Sequence, residues 1–171
     1  HEERLHTKVQ YQLAKLGVAL GYDVSVARND RGANCQGSPL AYHCIECLPD
    51  LGLPPEIHST VDLIDVLWLH RGMPRIVCAF EVEKSTSIYS GILRLADMAL
   101  SLPGKEDHLY LVAPRSREKE IVDQLRRPMF QRQDEFTLSY IFFEELELHF
   151  ESLCKFGGDH TVLTKLACRC V

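Results

Sequence analysis

The sequence predicts a mixed α/β domain, in which helices flank a central sheet that contains both parallel and antiparallel strands. Two apolar segments, from Val61 to Leu69 and from Ile76 to Glu83, are joined by the short turn Arg71 to Pro74, which favours an antiparallel hairpin. A helical segment and another apolar strand follow this hairpin. A strand, helix, strand unit requires a parallel pair with a right-handed crossover, so the sheet should be mixed.

The N-terminal segment is predicted to be an amphipathic helix followed by a short strand. Apolar residues recur every three or four positions from Glu2 to Leu20, where Gly21 ends the pattern, and Tyr22 to Ala27 alternate as in a strand. Glycine and proline interrupt the segment 28–60, which we therefore interpret as loop with short helix. A connection of this length inside one domain predicts an insertion over the site.

The second half of the chain alternates between predicted helices and strands. The hydroxyl residues Ser85 to Ser87 are expected to cap a helix that carries one apolar stripe. The remaining predicted elements are a strand from His108 to Ala113, a helix from Glu118 to Met129, a strand from Leu138 to Phe143 and a helical tail from Glu144.

Length, composition and charge limit the classes of protein that fit. The chain has 171 residues, is 46% hydrophobic and is therefore expected to form a single domain. Its net charge of -5 argues against binding nucleic acid by bulk charge alone, although carboxylates at a metal site would contribute to that total. No apolar run approaches the roughly 20 residues of a membrane span, so we expect a soluble cytoplasmic protein. Because His1 opens the chain, we expect a domain excised from a larger protein.

Seven cysteines, an odd number at irregular spacing, favour reduced thiols over a disulfide framework. Cys44 and Cys47, with His43 beside them, are spaced as zinc ligands, but no second such pair follows at finger spacing. Structural Zn²⁺ is therefore disfavoured, and a zinc-stabilised interaction domain is the weakest of the functional hypotheses.

Three acids in the two hairpin segments are the candidate metal ligands. Asp65 lies in the first segment, and Glu81 and Glu83 share one face of the second by alternation. Acids on buried strands are costly without a cation, and Mg²⁺ (or Mn²⁺ in its place) would need only Asp65, Glu81 and the carbonyl of Val82. Glu83 could take a second ion or act as a general base. The alternative is that the acids lie on a solvated edge strand of the sheet, where they pair with Arg75, Lys84 or Arg94.

The order α-β-β-β-α-β, with Asp65 on the second strand and Glu81-x-Glu83 on the third, resembles the PD-(D/E)xK nuclease superfamily with its restriction-endonuclease-like fold. The runs GYDVSVARNDR, LIDVLWL and FEVEKSTSIYSGILRLADM resemble an uncharacterised bacterial branch with the motif FEVE-x-(S/T)TSIYSG. The resemblance implies catalytic roles for Asp65 and Glu81. Glu83 stands where most members have lysine. Lys84, a further catalytic candidate, comes one residue later, on the opposite side of a regular strand unless a bulge turns it.

Two functional hypotheses follow. The first is a Mg²⁺-dependent DNA endonuclease, for which a homodimer and an additional helicase or target-recognition domain are the expected partners. The second is a non-cleaving module of the same fold that binds nucleic acid or protein. In either case Ser87, Tyr89 and Arg94 are weaker candidates for contact with the nucleic-acid backbone. A basic cluster is either a solvated helix face or a second DNA contact; it comprises Arg115, Arg117, Lys119, Arg126, Arg127 and Arg132.

Overall fold

The computed structural model describes residues 2–83, 87–102, 108–131 and 136–169. The helices are α1 (Glu2–Ala19), α2 (Pro55–Val61), α3 (Ile88–Ser101), α4 (Glu118–Leu125), α5 (Pro128–Gln131) and α6 (Phe143–Phe156). The strands are β1 (Asp23–Val26), β2 (Asn34–Cys35), β3 (Ser38–Pro39), β4 (Val66–Leu69), β5 (Ile76–Val82), β6 (His108–Ala113) and β7 (Thr137–Phe142). Within these ranges, no helix is both long and apolar enough to cross a membrane.

Five strands form the central sheet in the order β1-β4-β5-β6-β7. The pairs β1–β4 and β4–β5 are antiparallel, whereas β5–β6 and β6–β7 are parallel. The predicted mixed α/β class and the hairpin are thereby confirmed. The elements α1, β1, β4, β5, α3 and β6 follow the α-β-β-β-α-β order, which is compatible with a restriction-endonuclease-like core.

Helices cover both faces of this sheet. On one face, Phe80 and Val82 of β5 pack in the same core cluster as apolar residues of α1 and α6. On the other face, α2 and α3 cover Ala79 and its neighbours, and α3 and α4 cover β6 and β7. Alternation along β5 therefore directs Glu81 towards α3, into a layer that is otherwise apolar.

The structure corrects two predicted boundaries. The strand predicted from Val61 to Leu69 is wrong over its first half, because Val61 ends α2 and β4 begins only at Val66. The helix predicted to reach Met129 ends at Leu125, and Met129 is 46% exposed. Pro128 explains the early end, since proline disfavours a helical conformation in the residue before it.

The segment 28–60 contains more structure than its glycine and proline content predicts. It contains the hairpin β2–β3, 3-10 helices at Arg28–Asp30 and Leu40–His43, and α2. Leu40 is fully buried in the core beside α1. The first of these 3-10 helices ends at Asp30, which reaches the candidate site.

Candidate active site

Asp65 is fixed at the point where β4 begins, between its two neighbouring strands. Its carbonyl oxygen accepts a hydrogen bond from the Ala27 N–H at 3.2 Å. Its carboxylate Oδ2 accepts one from the Val82 N–H at 2.7 Å. Only 8% of the residue is exposed. Because backbone groups of both β-strand neighbours hold it, the position of this carboxylate is set by the sheet itself.

Glu81 and Glu83 stand at the carboxyl end of β5 and are more deeply buried than Asp65. Glu81 is 0% exposed and Glu83 is 1% exposed. The Glu83 N–H donates to the Val112 carbonyl of β6 at 2.8 Å, which continues the ladder past the last residue of the strand. Burial raises the pKa of Glu81 well above its usual range; the hydrogen bonds from Arg94 oppose this shift, and the charge of Asp65 adds to it.

Arg94 of α3 supplies the cation that these acids require. Its Nε and Nη2 donate to the two carboxylate oxygens of Glu81 at 2.8 and 2.6 Å, a bidentate pair. Its Nη2 is also 3.8 Å from Glu83 Oε1. The Glu81 carboxylate raises the pKa of Arg94 further above its already high value, so this guanidinium stays charged. The pairing of Glu81 with Arg94 was one of the alternatives open from the sequence.

Gly91 lets α3 come this close to the acids. A Cβ atom at this position would collide with Glu83 Oε1 and would lie 3.3 Å from the Cβ of Glu81. Gly91 precedes Arg94 by three residues, so both lie on the same face of the helix. A glycine one turn before an arginine was the sequence signal for this contact, and the sequence interpretation missed it.

The structure adds three residues that sequence reasoning did not select. His6 Nε2 lies 3.4 Å from Asp65 Oδ1. Gln10, one turn later on α1, donates through Nε2 to Asp30 Oδ2 at 2.8 Å and to Asp65 Oδ1 at 3.4 Å. Burial lowers the pKa of His6, but the hydrogen bond and charge of Asp65, with the charges of Asp30 and Glu83, outweigh it and raise the pKa overall.

Asp65 belongs to two groups of side chains, one with His6 and Asp30 and one with Glu81 and Glu83. In the part of the chain that the structure describes, one set of His, Cys, Asp or Glu residues has all its ligand atoms within 4.8 Å of one another, namely His6, Asp30 and Asp65. Asp65 also belongs to the predicted set with Glu81 and Glu83, in which Arg94 holds the Glu81 carboxylate. Asp65 therefore lies between two groups of donors.

Residues 1–167 match the protein family described as the type II restriction enzyme NmeDI C-terminal domain. The chain belongs to this family. A curated relative, the type II restriction enzyme NmeDI of Neisseria meningitidis serogroup C, is 28% identical over 152 residues. That match covers 84% of this chain and 42% of the relative, so the chain corresponds to less than half of that protein. No solved structure gives a significant match to the chain.

The remaining predicted site residues of the chain lie in different surroundings. Ser87 caps α3, and its hydroxyl accepts weakly from the Ser90 N–H at 3.4 Å. Tyr89 contacts the Phe130 ring at a centroid distance of 6.3 Å and the Arg127 guanidinium at 5.0 Å. Lys84, proposed from the sequence as catalytic, lies outside the described residues, as do Ser85 and Thr86. The assignment of catalytic and metal-binding roles stays a prediction.

Cys44 and Cys47, the pair considered as zinc ligands, lie in different surroundings from each other. The Cys44 thiol donates to the Leu40 carbonyl at 3.2 Å, and burial raises its pKa to about 11. Cys47 is exposed. Because zinc binds the thiolate, a thiol held in its protonated form is a poor ligand.

Proposed function

We propose that the chain is a metal-dependent DNA endonuclease domain that hydrolyses phosphodiester bonds with Asp65, Glu81 and Glu83. The observation that carries the proposal is the burial of these three acidic residues, none more than 8% exposed, at the adjacent ends of β4 and β5. Buried acids require compensating cations. Arg94 pairs with Glu81, and the all-oxygen donor set of the three acids suits a hard divalent ion.

The family supports DNA as the substrate. The chain belongs to the NmeDI C-terminal domain family, and the relative with 28% identity is a type II restriction enzyme. The central sheet is compatible with the restriction-endonuclease-like core that the PD-(D/E)xK resemblance implies. Membership of that superfamily is part of this proposal.

Each residue has a distinct proposed task. Asp65, Glu81 and the Val82 carbonyl would hold Mg²⁺, for which Mn²⁺ can substitute. The bound ion would activate water and neutralise charge on the phosphoryl oxygens. The Val82 N–H fixes Asp65, and Glu83 would accept the proton of the attacking water or hold a second ion. Lys84 remains a further candidate for orienting that water.

Most members of the superfamily have lysine at the position of Glu83, and in one respect Arg94 takes the place of that lysine. It brings a permanent positive charge to within 3.8 Å of Glu83, from a helix instead of from the strand. This charge opposes the effect of burial, which raises the pKa of Glu81. When a cation binds the acids, the guanidinium is free to contact a phosphate oxygen.

The test is cleavage of supercoiled plasmid DNA with Mg²⁺ or Mn²⁺. Asp65→Asn and Glu81→Gln should each lower the rate by about 100-fold or more, because each removes a ligand charge while keeping the side-chain shape. Glu46→Gln, an exposed acid far from the site in sequence, is the matched control and should cleave normally. Cleavage that persists in EDTA, or that both site variants retain, would refute the proposal.

A second function, a non-cleaving binding module of the same fold, is favoured by one observation. Arg94 already satisfies both oxygens of Glu81, and the net charge of the chain is -5. In the same assay, DNA binding without cleavage, unchanged by Asp65→Asn, would support this function over the nuclease.

The properties of the whole protein are further proposals. We propose that a target-recognition or helicase domain selects the DNA, since the matched region makes up only 42% of the relative. We also propose that two copies cooperate to cut both strands. Linear product appearing with a second-order dependence on protein concentration would support pairing, whereas nicked circles alone would oppose it.

A further inference from the structure

We propose that His6, Asp30 and Asp65 form a binding site for a divalent transition-metal ion, where α1 meets the start of β4. This site is distinct from the one proposed for Mg²⁺, although the two share Asp65. Its histidine lies on α1, and one of its two aspartates lies on the 3-10 helix after β1. It includes neither of the acids at the end of β5. It does not depend on phosphodiester cleavage by the chain.

The three donors have a spacing that one ion can bridge. Their ligand atoms all lie within 4.8 Å of one another, and His6 Nε2 is 3.4 Å from Asp65 Oδ1. Ligands at about 2.1 Å from one ion are at most about 4.2 Å apart, so side-chain shifts of under about 1 Å are sufficient. The backbones of Asp30 and Asp65 are both tied to Ala27, by hydrogen bonds of 2.9 and 3.2 Å.

Gln10 is the independent observation that points to an ion. The residue is 0% exposed, and its amide is directed at the two carboxylates through Nε2. Its Oε1 is buried and has no hydrogen-bond partner among the described residues. An unpartnered buried carbonyl oxygen costs about 1–3 kcal/mol, and such atoms are rare in folded proteins.

A rotation of the Gln10 amide would turn this orphaned oxygen into a fourth ligand. With a cation between Asp30 and Asp65, Oε1 would face the ion, and Nε2 would take the position where Oε1 now lacks a partner. One buried amide atom is unpartnered in either orientation, so the rotation adds no new unsatisfied group. The ion replaces the hydrogen bonds that Nε2 gives up to the two carboxylates, and a long bond of 3.5 Å from Nε2 to the Asp65 carbonyl is also lost.

The donor set indicates which ion binds. A histidine nitrogen suits Mn²⁺, Co²⁺ or Zn²⁺, whereas Mg²⁺ favours oxygen ligands and dehydrates reluctantly. Two carboxylates and an amide oxygen complete a mixed nitrogen and oxygen set. We therefore expect binding of Mn²⁺ that a large excess of Mg²⁺ does not displace.

The experiment is a titration of the whole chain with Mn²⁺ in excess Mg²⁺, following free Mn²⁺ by electron paramagnetic resonance. His6→Gln and Asp30→Asn should each weaken the Mg²⁺-resistant binding by at least about tenfold. His149→Gln, which changes a partly exposed histidine on α6, should bind as the unmodified chain does. Glu81→Gln should also retain this binding, which separates the site from the proposed catalytic one.

A second measurement needs no variant. Substoichiometric Mn²⁺ should broaden the His6 ring resonances of the unmodified chain selectively while Mg²⁺ is in excess. Mn²⁺ binding that Mg²⁺ displaces completely, or His6 resonances that stay sharp, would overturn the proposal. If plasmid cleavage fails while the broadening is seen, the nuclease proposal falls and this site stands.

Discussion

The charge of Glu81 depends on a single residue, Arg94. Full burial favours the neutral carboxylic acid, and the two hydrogen bonds from the guanidinium favour the carboxylate. Glu83 and Asp65 lie close enough for their charges to bear on both partners. The site therefore contains its own cation, and any metal ion that enters must compete with it.

Replacing this cation should weaken the fold and strengthen metal binding. We expect Arg94→Gln to lower the free energy of unfolding by about 2 kcal/mol, less than for a fully buried pair because a third of the arginine side chain is exposed. Mg²⁺ should then raise the melting temperature of this variant more than that of the unmodified chain, since the acids have lost their internal partner. Thermal unfolding with and without Mg²⁺ measures both effects.

Arg71→Gln is the matched control, because Arg71 is exposed in the turn between β4 and β5. It should unfold as the unmodified chain does and respond to Mg²⁺ equally. If Arg94→Gln lost stability but gained no response to Mg²⁺, the pair would have a structural role alone.

At the scale of the elements, the contact between α3 and β5 shapes the site. Apolar residues of α3 pack on the sheet on both sides of the acids, through Leu95 and Met98 in one cluster and Ile88 and Ile92 in another. Gly91 lies between these two sets, over Glu83. The absence of a side chain at this position gives the carboxylate its space.

A methyl group at Gly91 should displace Glu83 with little effect on stability. Alanine is better than glycine in a helix by about 1 kcal/mol, which offsets part of the cost of moving the flexible carboxylate. We expect the melting temperature of Gly91→Ala to change little while metal-dependent plasmid cleavage falls at least about tenfold, because the geometry of catalytic groups tolerates little displacement.

Ser90→Ala changes the exposed neighbour in the same helix and should leave cleavage unchanged. Normal cleavage by Gly91→Ala would show that the position of Glu83 is unimportant, and Glu83 would then lose its proposed role.

The sequence predicted the elements whose periodicity is strong and missed the contacts that only packing creates. Alternation in β5 placed Glu81 and Glu83 on one face, and the apolar stripe placed α3 beside them. The apolar run from Val61 to Ile64 is too short for periodicity to distinguish a helix from a strand, so the boundary before Asp65 was wrong. His6 and Asp30 are 24 residues apart and meet at Asp65 only because β1 turns back beside α1.

At the scale of the whole molecule, two residues of the basic cluster predicted from the sequence are paired with acids of the chain. Arg115 contacts Glu145 at 2.7 Å, and Arg117 contacts Glu120 at 2.8 Å. Arg127 lies over the ring of Tyr89. Arg132, the last member of the basic cluster predicted from the sequence, lies outside the described residues. With a net charge of -5, a broad phosphate-binding surface is not expected.

DNA binding by this chain should therefore depend only weakly on salt. Each phosphate neutralised contributes a slope of about -0.9 to the plot of log K against log salt concentration, and we expect fewer than about four such contacts. The slope should be shallower than about -4, with affinity weaker than micromolar at physiological salt. Fluorescence anisotropy of a labelled duplex in Ca²⁺, which occupies carboxylate sites without the demands of Mg²⁺ geometry, measures both quantities.

The matched comparison is Arg115→Gln against Arg94→Gln. Arg115 is held by Glu145 on the surface, so its loss should leave the slope unchanged, whereas we propose that Arg94 contacts a phosphate, so its loss should make the slope shallower by about one. A slope of about -6 or steeper for the unmodified chain would mean that the surface pairs open to meet DNA. The basic cluster, and not the acid site, would then hold the substrate.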